Sequence, residues 1–247
     1  MKRKTIKKIV YLLALFYAGL TAFAWIYPNF FMKIDTSEVD RYYDVLSTGS
    51  KPSGNLILEL GVKEDSGLQP VVDRIKSGMG LKDYNMWIKY TNMEKPPAYI
   101  EKLGNDTVNI YISKNLKQRS EQINVLIHEL GHIYLWDLDD SFLNGCDEEK
   151  FNDCAGVFLG FGVLMLNGLT DDTFFIPGLE YRAEKKSFGY IRPEQIGYLL
   201  ARYCADRGID ADGVIPYLRP AGKKYFNIGR NYFKRCNPGA PKLNSKK

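Results

Sequence analysis

The stretch Glu121-Gln122-Ile123-Asn124-Val125-Leu126-Ile127-His128-Glu129-Leu130-Gly131-His132-Ile133-Tyr134-Leu135-Trp136 decides how this chain is read. Apolar residues at Ile123, Leu126, Ile127, Leu130, Ile133 and Tyr134 recur at helical spacing, which predicts a largely buried helix. On that helix His128 and His132 stand four residues apart, so they share one face about one turn apart. They are the only 2 histidines in the 247 residues. Buried polar side chains need partners, and one metal ion supplies a partner to both imidazoles. Glu129 lies beside them, within reach of a water on that ion. His-Glu-x-x-His is the arrangement of zinc metallopeptidases, two ligands and a general base.

Zinc takes a third protein ligand, and no third histidine exists. The metzincin extension is excluded, because Leu135 and Leu138 stand where its glycine and histidine would be. The third ligand is therefore a carboxylate or a cysteine. Downstream, Glu149 and Asp153 are four apart on the face of a second helix, and Gly156 and Gly160 continue that face. Glycine in a helix interior costs on the order of 1 kcal/mol against alanine, so two on one face point to close packing, with Gly131 as the natural counterpart. The apolar run from Cys154 to Leu166 is too short to span a bilayer and reads as a buried helix. In this picture Glu149 faces the histidines and is the third ligand. Glu148 is rotated by about 100° from that face. Asp153, a turn deeper on a shorter arm, is suited to accept a hydrogen bond from a ligand imidazole.

With these residues the chain resembles the gluzincins, in which His-Glu-x-x-His on one helix is completed by a glutamate on the next. Compact minigluzincins and HtpX-type membrane proteases, which use Glu-x-x-x-Asp in the second helix, are the nearest likeness. The resemblance runs from Asn109 to Asn167. It implies a zincin-like domain, one zinc ion held by His128, His132 and Glu149, and Glu129 as catalytic base. The chain departs from the HtpX type in carrying one N-terminal membrane segment before an exported domain.

Upstream of the histidine helix, Asn55–Leu60 and Asn85–Tyr90 read as strands and Leu68–Lys76 as a short helix. Ala98–Glu101 follows Pro96-Pro97, and Thr107–Ser113 alternates as a half-buried strand with Val108, Ile110 and Ile112 inward. Strands with a helix, then mainly helices, predict an α+β domain with a small mixed sheet backed by helices. The Thr107–Ser113 strand is expected to offer its edge to an extended peptide or protein substrate.

The N-terminus carries Lys2, Arg3, Lys4, Lys7 and Lys8, followed by 19 uncharged residues from Ile9 to Tyr27. At about 1.5 Å per residue that run approaches the hydrocarbon thickness of a bilayer, with Trp25 and Tyr27 where interfacial aromatics belong. The expected organisation is a transmembrane segment at residues 1–27, a linker at 28–54, the metallopeptidase domain at 55–236 and a basic flexible tail at 237–247. The basic cluster keeps the N-terminus in the cytoplasm and sends the domain outside. The alternative is a secreted or periplasmic protein released by cleavage near Ala24. Those five basic residues account for the formal net charge of +5, so the charge reports targeting and argues for no nucleic-acid partner. From Gly213 onward there is no acidic residue. In an exported chain, Cys146, Cys154, Cys204 and Cys236 suggest disulfides at Cys146–Cys154 and Cys204–Cys236.

The expected chemistry is peptide hydrolysis. Glu129 takes a proton from water acidified by zinc and passes it to the departing amine. With both histidines committed, the oxyanion needs a tyrosine or arginine donor, and Tyr181, Tyr190 and Arg192 are the candidates. The competing reading is a catalytically silent zincin-fold binding protein of the cell envelope. Glu129 speaks against it, since a closed structural zinc site needs no base.

Overall fold

The computed structural model describes residues 3–30, 32–49, 56–58, 67–138, 144–169 and 189–239. Along them run α1 (Arg3–Phe30), α2 (Ser37–Gly49), α3 (Gln69–Gly78), β1 (Asn85–Thr91), β2 (Ala98–Lys102), β3 (Thr107–Ser113) and α4 (Arg119–Trp136). Then come α5 (Glu148–Gly156), α6 (Gly162–Asn167), α7 (Pro193–Asp206) and α8 (Pro220–Cys236). A π-helical turn at Val157–Phe161 separates α5 from α6, and a 3-10 turn occupies Asp212–Tyr217. The class is α+β, as the order of elements predicts.

The sheet has the strand order β1-β3-β2, with β1 parallel and β2 antiparallel to β3. Val108, Ile110 and Ile112 are fully buried, as their alternation predicts, and Ile110 pairs with Ile88 on one side and Ile100 on the other. Because β3 is paired along both sides it has no free edge, which corrects the expectation that it receives substrate. Among the described residues the free edges belong to β1 and β2, and β2 packs against α4.

Two further readings change. The segment expected as a linker contains α2, whose Val39, Tyr42, Tyr43 and Leu46 are all buried. Their i, i+3, i+4, i+7 spacing marks an apolar helical stripe, masked in sequence by Glu38, Asp40, Arg41 and Asp44 between them. Leu56–Leu58, expected within a strand, is not in one; the Ile57 N–H instead donates to the Gly160 carbonyl at 2.8 Å. Gly160 itself has φ +95° and interrupts the helix, a conformation that suits glycine alone. It therefore breaks the face that Gly156 begins and does not extend it. Gly156 does lie against α4, where an added Cβ would come 3.2 Å from Ile127.

The N-terminal apolar run lies within α1, and its described side chains Val10, Tyr11, Leu12, Leu13, Leu15 and Phe16 are all exposed. Among the described residues, no helix is long and apolar enough to cross a membrane. None of the four cysteines is in a disulfide, which departs from the expected Cys146–Cys154 and Cys204–Cys236 pairs. Cys154 in α5 and Cys204 in α7 are turned into the core, whereas Cys146 is only half-buried and Cys236 is exposed in the last turn of α8. Each expected pair thus divides between core and surface, and a bridge needs Cβ atoms within about 4 Å.

Candidate metal centre

Both helices that form the site are capped by their own sequence. In α4, the Gln118 N–H donates to Glu121 Oε2 at 3.3 Å, a side chain reaching back over the first turn. In α5, Asp147 accepts from the Lys150 N–H at 3.3 Å. The start of α5 is also held from outside, because the Asp147 N–H donates to the Tyr42 hydroxyl at 2.9 Å and that hydroxyl donates to Glu38 at 2.9 Å.

At the crossing of α4 and α5 three side chains converge. Glu149 Oε2 lies 3.0 Å from His128 Nε2 and 3.3 Å from His132 Nε2. One ligand atom from each of His128, His132 and Glu149 falls within 4.8 Å of the others, a donor set able to hold one metal ion. Two imidazole nitrogens and a carboxylate oxygen are compatible with zinc and with other imidazole-binding divalent metals. The histidines are mostly buried, while Glu149 is 40% exposed, so the set opens to solvent on the glutamate side. Glu148 is more exposed and only approaches the other nitrogen of His132, at 3.7 Å.

Asp153 occupies the place expected of it. Its Oδ1 lies 2.9 Å from His128 Nδ1, placed to accept a proton from Nδ1 when Nε2 serves as the lone-pair donor. Burial works to lower the His128 pKa, but the hydrogen bond and charge of Asp153, with Glu129 and Glu149, outweigh it and the net displacement is upward. At His132, burial and the neighbouring His128 charge push the pKa down against the pull of Glu149 and Glu148. Glu129 is buried, and this pushes its carboxyl up to about 7, with His128 opposing and Glu149 adding to the shift.

Of the oxyanion candidates, Tyr190 is at the site. Its ring stacks on His128 with centroids 5.5 Å apart and planes 23° apart. Burial raises its pKa, so the phenol keeps its proton. The charged partner of Arg192 is Glu194, at 3.8 Å, beside the start of α7. Tyr181 lies outside the described residues.

Sequence reasoning missed two contributors. Asn152 donates from Nδ2 to the His128 carbonyl at 2.8 Å and locks α5 against α4. An amide between Phe151 and Asp153 in a fully buried turn was the available signal. The second is backbone: the Tyr190 and Ile191 N–H groups both donate to Asp153 Oδ2, at 2.5 and 3.1 Å. No residue pattern announces such a contact.

No protein family, curated protein or solved structure matches the chain.

Proposed function

We propose that this chain is a membrane-tethered zinc metallopeptidase. One observation carries the reading: His128, His132 and Glu149 converge from two helices while Glu129, the neighbour of His128, is a buried carboxyl held near neutral pKa. A site built only to bind metal gains nothing from that fourth group, whereas hydrolysis needs it.

Zinc held by the three ligands would supply Lewis-acid polarisation of a peptide carbonyl and acidify water. Glu129 accepts the proton of the attacking water and returns it to the leaving amine. Asp153 keeps His128 in the tautomer that presents Nε2. Tyr190, protonated and stacked on a ligand ring, is the donor for the developing oxyanion. The substrate lies extended along the free edge of β2, the edge strand that packs on α4. The tether is the apolar run from Ile9 to Tyr27 behind its basic cluster, which puts the domain outside the cytoplasm.

The test is degradation of a generic unfolded protein by the purified chain. Activity abolished by chelator, restored by zinc and absent from Glu129→Gln supports the reading. Bound zinc without turnover under any condition would leave a binding protein and end it.

A further inference from the structure

We infer that Asp153 couples metal ligation at His128 to the seating of residues 189–191, so that a loaded site holds Tyr190 more firmly beside the substrate. This rests on the metal-site reading above and extends it to the assembly of the substrate face.

Asp153 is 1% exposed, and both its oxygens are in use. Oδ1 meets His128 Nδ1 at 2.9 Å, and Oδ2 receives the N–H groups of Tyr190 and Ile191. Gly189 comes in so close that an added Cβ would stand 3.0 Å from Oδ2. The Tyr190 ring then lies back over His128. One imidazole is thus gripped at its edge by Asp153 and covered on its face by a ring whose own backbone Asp153 holds. The three contacts close a circuit.

The circuit responds to metal through the imidazole proton. His128 Nε2 also lies 3.0 Å from Glu149 Oε2, so for the single N–H of a neutral ring Glu149 and Asp153 compete. A metal on Nε2 removes that competition and leaves a single proton on Nδ1, committed to Asp153. An ionised carboxylate has two acceptor oxygens and serves all three donors at once. Fixing one oxygen fixes the other, which steadies the two backbone N–H groups and the ring between them. By reciprocity, seating residues 189–191 strengthens metal binding. Asp153 is a positioning residue in this scheme, and Tyr190 is the residue that touches substrate.

Amide hydrogen exchange of the full chain reads this directly. Zinc should slow exchange at Tyr190 and Ile191 by roughly tenfold relative to chelator-treated protein. Asp153→Asn reverses the sign. Asparagine has one acceptor oxygen, and zinc draws it to the Nδ1 proton of His128, which turns the amide donors towards two backbone donors. In D153N, zinc should therefore speed exchange at the same two positions. The reciprocal arm, which also serves if D153N fails to fold, is Gly189→Ala. It touches no ligand, yet by crowding Oδ2 it should weaken zinc about threefold. Exchange at Tyr190 and Ile191 that ignores bound zinc overturns the coupling, as does zinc-slowed exchange in D153N or wild-type zinc affinity in G189A. Failure of the chain to bind zinc at all, read by metal analysis, overturns the metal-site reading and this inference together.

Discussion

A Cβ placed on Gly131 would fall 2.0 Å from Asn152 Oδ1. The hydrogen in its place points at that oxygen, which is buried and has no hydrogen-bond partner, so the contact is a weak C–H···O one. The other end of the same amide holds the His128 carbonyl. The separation of α4 from α5, and hence of the histidines from Glu149, is set here. Gly131→Ala should overpack this crossing, costing about 1–3 kcal/mol and lowering zinc affinity. Thermal unfolding and zinc titration of the variant check both; an alanine that leaves both unchanged would remove Gly131 from the site's architecture.

Ligand assignment separates three carboxylates. Glu149→Ala should lose most bound zinc, since its Oε2 is the atom that faces both Nε2 nitrogens. Asp153→Ala should weaken binding roughly 10–100-fold. Glu148→Ala should change affinity little, because that side chain is largely exposed and 3.7 Å from the outer nitrogen of His132. Metal content after dialysis against a weak chelator ranks the three. The opposite order for Glu149 and Asp153 would make the aspartate the ligand.

Glu129→Gln should keep zinc and lose peptidase activity by several orders of magnitude, as measured on a quenched fluorescent peptide. The same variant has a signature without metal. The folded-state pKa of Glu129, about 7, lies above its ordinary 4.5, so between those values the folded protein keeps a proton the unfolded chain has lost. Stability of the metal-free protein then falls as pH rises through this window. Glutamine removes the effect, so above pH 7 metal-free E129Q should be the more stable by up to roughly 3 kcal/mol. Urea unfolding of both proteins in chelator, at pH 4.5 and pH 7.5, measures the difference.

Side chains that repeat at a fixed period were legible in the sequence. The helical stripe around His128 and the alternation of Val108, Ile110 and Ile112 gave α4 and β3, and the four-residue steps gave the ligand set and Asp153. What was hidden depended on neighbours remote in the chain. The pairing of β3 on both sides cannot be read from β3 alone. In α2 the apolar stripe of Val39, Tyr42, Tyr43 and Leu46 was interrupted by charges and read as a linker. Gly160 looked like a packing glycine because spacing carries no information about φ, and its left-handed backbone was found only in three dimensions.

Thiol chemistry offers an independent check on the packing. Burial pushes the Cys204 thiol up to about 12 and Cys154 well above its usual range, so neither forms thiolate near neutral pH. Cys236 should react with a thiol reagent within seconds to minutes at pH 8 and Cys146 more slowly. Cys154 and Cys204 should wait for denaturant. Two thiols reactive in the native protein, one fast and one slower, and two that need denaturant are expected without prior reduction, and no reactive thiols in the native and denatured protein would restore the disulfides.

Tyr42→Phe removes the hydroxyl that accepts the N–H of Asp147, the residue capping α5, and donates to Glu38. Loss of these bonds should destabilise the protein by about 1–2 kcal/mol and weaken zinc several-fold, measured by unfolding and metal titration. Unchanged zinc affinity would mean that α5 sets its own start.

The Tyr42–Asp147 contact spans 105 residues of chain, and that fixes the order of events during synthesis. By the time the ribosome has made α4, both histidines exist, but the glutamate and the helix that carries it do not. When α5 emerges, its first turn is met by a tyrosine made far earlier. A nascent chain stalled after the histidine motif therefore carries His128, Glu129 and His132 without Glu149, and the proposed metal centre is complete only after α5 has docked against α2.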